Sequence, residues 1–154
     1  MKSQEMEVFA MTRVEKTVNL FPTVLNCSQA TLTVFGEQYG LNAEMAARLG
    51  RPLGGGMGHT ARTCGAVTAA VLILGLANDG EDEGKARQAS FASVQEFFNR
   101  FEALHGTTDC KSLLGEDMST EEGMKKIKEE KLVSKRCPAF VRDAASILET
   151  LLAS

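Results

Sequence analysis

Four cysteines, Cys27, Cys64, Cys110 and Cys137, carry the most reactive side-chain chemistry in this 154-residue sequence. A thiolate is both the nucleophile of disulfide exchange and the ligand for soft metals, so their local settings decide what they can do. They lie far apart in the chain and none falls within a Cys-x-x-Cys pair, so spacing gives no zinc-ribbon or zinc-finger pattern. Local context says more. Cys27 follows the capping residue Asn26, Cys64 follows Arg62-Thr63, Cys110 follows Thr108-Asp109, and Cys137 precedes Pro138. Each is therefore expected at a helix start, where unpaired N–H groups and the positive end of the macrodipole stabilise an anion and lower a thiol pKa. If those ends converge, three thiolates with an open position suit a reactive centre. Four would complete a Cys₄ set for a [2Fe–2S] or [4Fe–4S] cluster or a zinc ion.

The elements that must position these sulfurs can be read in order. Residues 4–19 carry Met6, Phe9, Val14 and Val18 at helical spacing and stop at Phe21-Pro22. Asn26 caps a second helix whose Leu32, Phe35 and Tyr39 share a face before Gly40, and Asn42 caps a short third one ending near Gly50–Pro52. Next comes a glycine loop, Leu53-Gly54-Gly55-Gly56-Met57-Gly58-His59, which runs into the most apolar stretch of the chain, a helix expected over about 62–78. Being apolar on nearly every face, it reads as the central core helix; from Cys64 to Ala77 it is shorter than the ~20 residues that span a bilayer. A long helix over about 85–105 follows, ending at Gly106, then a short turn at Cys110 with Leu113 and Leu114. Ser119 with Glu122 reads as a capping box for a charged, solvated helix reaching Arg136 and weakened by Gly123. Cys137-Pro138 then opens the last helix, with proline at the first helical position. No segment alternates with period two, so the fold class is all-α: an irregular bundle of five to seven helices, one domain over residues 1–154.

Around the cysteines, Gly55, Gly56, Gly58 and Gly65 let backbone approach a sulfur site closely, with loop N–H groups expected to donate to it. His59 could shift a neighbouring thiol, and Arg142, one turn after Cys137, could stabilise a thiolate or an anionic cluster. His105, near a helix C-terminus, is assigned no role. The loop lacks the Lys-Ser/Thr ending of a phosphate-binding P-loop, and no strand precedes it.

The pieces Asn-Cys-Ser-Gln-Ala-Thr-Leu-Thr from Asn26, Leu-Gly-Gly-Gly-Met-Gly from Leu53, Thr-Cys-Gly-Ala-Val-Thr-Ala from Thr63, and Cys-Pro-Ala-Phe-Val-Arg from Cys137, with the cysteine order, resemble the redox-active family named for its C-GCAxxG-C-C motif. The resemblance runs from about Asn26 to Leu152 and places the family's cysteines on Cys27, Cys64, Cys110 and Cys137. The departure is Ala69, standing in place of a glycine at the end of the central signature; it widens a helix contact without touching a sulfur. The resemblance implies a small helical protein with a cysteine redox or metal site. A similar domain in split-Soret cytochromes points to iron–sulfur or electron-transfer chemistry. The haem signature CxxCH is absent, so haem is not carried over.

Composition narrows the partners. The net charge is −3 and basic residues are scattered, which leaves no footprint for nucleic acid or an anionic membrane. No apolar signal segment opens the chain, so a cytoplasmic location is expected, with a redox partner that the sequence does not name. Whether the protein is an enzyme stays open, because no paired His/Cys or Asp/Glu constellation identifies a reaction. The competing reading is a non-catalytic helical interaction protein, a homodimer for example, whose cysteines are buried small hydrophobes.

Overall fold

The computed structural model describes residues 11–154 and is all-α: eight α-helices, with no strand among the described residues. They are α1 Arg13–Leu20, α2 Cys27–Gly36, α3 Ala43–Gly50, α4 Gly65–Ala77, α5 Glu83–His105, α6 Cys110–Leu114, α7 Glu121–Glu129 and α8 Leu132–Ala153. The expected first helix began at residue 4; Met6 and Phe9 lie outside the described residues.

Capping chemistry sets most of the helix starts. Thr12 and Glu15 form a reciprocal capping box on α1, as Asn26 and Gln29 do on α2. Asn42 accepts the Met45 N–H at 2.8 Å on α3, and Asp82 and Asp109 cap α5 and α6. The charged segment differs from expectation by one residue. Thr120, not Ser119, caps α7, because Ser119 is held by Asp117. Gly123 is also more than a weak helix former: a Cβ there would run into the Asp117 carbonyl, so glycine permits this close packing.

The helix carrying Cys137 departs further. It does not start at Cys137 but at Leu132, after Lys131 in a left-handed conformation, and Pro138 lies inside it. Leu132 is buried and Val133 half-buried, so burial extends the helix backwards through a proline that removes one backbone hydrogen bond.

The main core is built where α2, α4 and α8 meet. Phe35, Val67, Ile73, Phe97, Phe101 and Leu148 are among its fully buried side chains. The apolar helix α4 is not enclosed on all sides, as a central helix would be. Leu72 and Leu76 are 46% and 41% exposed, because α2, α5 and α8 cover one side of α4 only. Between α5 and α8, the His105 ring lies on Phe101, meets the edge of Phe140 and pairs with Asp143 at 2.8 Å. A smaller second core, of Ala61, Cys110, Leu114, Met118, Ile127 and Leu132, lies beside the main one, and Cys137 packs against both.

No helix among the described residues is long and apolar enough to cross a membrane.

Candidate redox site

Two helix starts bring the first two cysteines together. Cys27 is the first residue of α2, and Cys64 is the N-cap of α4. The start of α2 is pinned to its neighbours by side chains: Asn26 Nδ2 donates to the Arg51 carbonyl, the Ser28 hydroxyl to the Gly50 carbonyl, and Gln29 Nε2 to the Ala47 carbonyl. Cys64 is fixed through its backbone. Its N–H donates to the Thr108 carbonyl at 2.8 Å, and Cys110 N–H donates to Arg62 at 2.6 Å, on either side of an isolated antiparallel bridge between Thr63 and Asp109. The starts of α4 and α6 are thereby tied to one another.

Gly65 explains how the first two sulfurs can lie close. A Cβ at that position would sit 2.6 Å from Cys27 Sγ and 3.0 Å from the Leu53 carbonyl oxygen. The Cys27 sulfur thus lies against the bare first turn of α4. The Cys27 thiol donates to the Cys64 sulfur, which lowers the Cys64 pKa from 9.0; burial opposes this, and the N–H groups of Ala66 and Val67 reinforce it. Cys27 moves the opposite way. Its proton is held by the bond to Cys64, by burial and by the charges of Cys64 and Cys137, against a small opposing effect from the Ser28 N–H. Of the two, Cys64 is the one whose ionised form is favoured and Cys27 the one that keeps its proton more firmly.

Cys110 and Cys137 are different again. Burial first, then the Cys64 charge, then Asp109, push Cys110 up to about 12. Burial followed by the charges of Cys64 and Cys110 does the same for Cys137, also to about 12. Both are therefore protonated at neutral pH. The Cys137 position shows why a helix start matters: in the middle of α8, with every nearby N–H used by the helix, its sulfur gains no stabilisation from a helix end.

All four sulfurs line one cavity of about 340 Å³. They are free thiols. Gly55, Gly56, His59 and Gly65 share the wall with them, whereas Gly58 and Arg142 do not. Arg142 is exposed on the outer side of α8 and its neighbour Asp143 is taken by His105, so the expected arginine contact to a thiolate is not made.

The glycine loop comes close as expected, by an unforeseen route. Gly55, Gly56, Met57, Gly58 and His59 all have positive φ, between 61° and 69°, and Gly58 N–H bonds back to the Gly54 carbonyl. This is a short left-handed turn. L-residues pay about 1–2 kcal/mol for that conformation, which applies to Met57, His59 and, two residues on, Ala61. The N–H groups of Gly58, Thr60, Ala61 and Arg62 are consumed by carbonyls within the loop. They are not available to a phosphate or to a sulfur. The donors that do face the cysteines are Ser28, Ala66 and Val67, which sequence reasoning missed because a backbone N–H carries no residue signature; only their place after a helix start could have marked them.

Among the described residues no group of three or more His, Cys, Asp or Glu side chains comes together as a metal ligand set. The four sulfurs share a cavity but do not form a preformed cage, so no step is assigned to a metal or cluster.

The family described as putative redox-active protein (C_GCAxxG_C_C) matches residues 25–151, which include all four cysteines and the whole cavity wall except Phe21, Pro22 and Val24. The chain belongs to this family. No curated protein and no solved structure matches the chain. Within the C-GCAxxG-C-C family region fall α2, α4 and all but the last two residues of α8, the helices that carry the main core, as well as the bridge that ties Cys64 to Cys110.

Proposed function

We propose that this redox-family protein works by reversible dithiol–disulfide exchange, with Cys64 as the attacking thiolate and Cys27 as the resolving thiol. The observation that carries the reading is the Cys27–Cys64 pair itself: the Cys27 sulfur lies against the side-chain-free Gly65 at the start of α4, and the interaction between the two thiols lowers the Cys64 pKa while raising that of Cys27.

The exchange balances without a cofactor. Cys64 attacks one sulfur of a disulfide, forming a mixed disulfide and releasing the first half as a thiolate. That thiolate takes a proton, and the proton lost by Cys27 as it becomes nucleophilic meets this need. Cys27 then attacks Cys64 Sγ, the mixed bond breaks, and the second half leaves as a thiolate that takes its proton from water. One external disulfide is reduced to two thiols while Cys27 and Cys64 are oxidised to a disulfide by two electrons. An external dithiol reverses the change, and is the class of redox partner the reading requires. Cys110 and Cys137, held protonated, take no part in the first exchange.

The test is to reduce the protein, expose it briefly to a disulfide, trap remaining thiols and map the peptides by mass. A Cys27–Cys64 bond with Cys110 and Cys137 still free is expected. A first bond elsewhere, or no bond, would overturn the assignment. So would iron and inorganic sulfide in stoichiometric amounts in protein purified without oxygen.

A further inference from the structure

The cavity in front of Cys64 has a composition that selects its substrate. Resting on the dithiol reading above, we infer that the oxidant this site accepts is a small, uncharged, apolar disulfide, and that glutathione disulfide and other ionic disulfides are excluded.

Three observations carry this. The volume, about 340 Å³, lies at the low end of ligand pockets and suits a molecule of small size. The wall is largely hydrocarbon, formed by Leu25, Leu113, Leu114, Val133, Phe140 and Val141. No lysine, arginine, aspartate or glutamate lines it, and apart from the four thiols its one titratable side chain is His59, exposed at the rim. A carboxylate or ammonium entering that space would lose its hydration with no fixed counter-charge to replace it. An anion would in addition approach Cys64, whose ionised form the neighbouring Cys27 thiol favours. Glutathione disulfide, a net anion bearing both carboxylates and ammonium groups, carries both penalties. A dialkyl disulfide carries neither, and its apolar arms fit the wall that the two cores leave between them.

The experiment measures how fast the fully reduced protein is oxidised by diethyl disulfide, by glutathione disulfide and by cationic cystamine. Each rate is divided by the rate for the same protein unfolded in urea, which removes the intrinsic reactivity of each reagent. The native-to-unfolded ratio for diethyl disulfide is expected to exceed the other two by about tenfold or more. Ratios equal within about twofold, or a ratio favouring either charged reagent, would overturn the inference. Val24, 72% exposed at the cavity mouth, supplies the second variant, since a charge there does not disturb a buried position. V24K is expected to raise the ratio for glutathione disulfide relative to that for diethyl disulfide by severalfold. An unchanged glutathione ratio would show that the charge-free wall does not select, and overturns the inference as well. Failure of the two readings is distinguishable: unselective formation of the Cys27–Cys64 disulfide removes only this inference, whereas no such disulfide with any reagent removes the dithiol reading and this one with it.

Discussion

Replacing Gly65 by alanine tests the geometry of the cysteine pair with one methyl group. The added Cβ would stand 2.6 Å from Cys27 Sγ, 3.0 Å from the Leu53 carbonyl oxygen and 3.3 Å from Ser28 Oγ. Ordinary non-bonded contact lies near 3.5–4.0 Å, so the sulfur or its helix must yield by about 1 Å. The Ser28 and Gln29 side-chain bonds hold the start of α2 against α3, so the displacement cannot be absorbed by a loose terminus. Overpacking of this kind costs about 1–3 kcal/mol, against about 0.5–1 kcal/mol that alanine returns over glycine in a helix. A net loss of roughly 0.5–2 kcal/mol is expected in urea unfolding. Gly75, in the same helix, is the control: nothing lies within 4 Å of its Cβ position, so G75A is expected to stabilise by up to about 1 kcal/mol. The chemical readout is sharper than the stability. With the Cys27 sulfur displaced, Cys64 loses its main stabilising donor and its alkylation by iodoacetamide should slow at neutral pH. G65A as stable as G75A, with Cys64 alkylation unchanged, would refute the placement of the Cys27 sulfur.

Mass-resolved alkylation across pH should label Cys64 first, at pH below that of an ordinary thiol, with Cys110 and Cys137 resistant until the alkaline limit; early labelling of either would contradict their burial. Linkage gives the stability counterpart. Because Cys110 and Cys137 are raised from 9.0 to about 12 on folding, their contribution is fully present below pH 9 and is lost as pH rises towards about 12. Urea midpoints should therefore fall over that window, and C110A/C137A should flatten the fall; an equally steep fall in the variant would count against it. The two sides of α4 are separated by a pair of truncations. I73A, at a fully buried position, is expected to cost about 2–5 kcal/mol, and L72A, at a half-exposed one, about 1 kcal/mol or less; equal losses would mean that a partner covers the outer side. Lys125 lies on the wet side of α7, and K125A should change stability by no more than about 0.5 kcal/mol in the same titration.

Helix existence was legible because local side chains decide it. Asn26, Asn42 and Asp109 cap where their types predict, and Gly40 and Gly106 end their segments with left-handed backbone. Cys137 was misplaced because Pro138 obeys a local rule for first-turn positions, while the burial of Leu132 that overrides it comes from residues far away in sequence. The left-handed turn was half visible: its glycines announce positive φ, but Met57 and His59 do not. That the four sulfurs share a cavity was an assumption of the sequence, since convergence depends on the Thr63–Asp109 bridge and on how α2 and α8 pack against α4. Arg142 had the right spacing from Cys137 and the wrong side of the helix.

The turn from Gly55 to His59 has the handedness that mirror-image amino acids prefer. Gly58 is solvent-exposed, with only the Pro52 carbonyl oxygen as near as 3.8 Å to an added L-side chain. In a chemically synthesised chain, D-alanine at position 58 would favour this turn in the unfolded state, whereas L-alanine in the same open space would oppose it. The segment that leads into Cys64 is thus a place where chirality, with size and polarity held constant, sets how readily this turn forms.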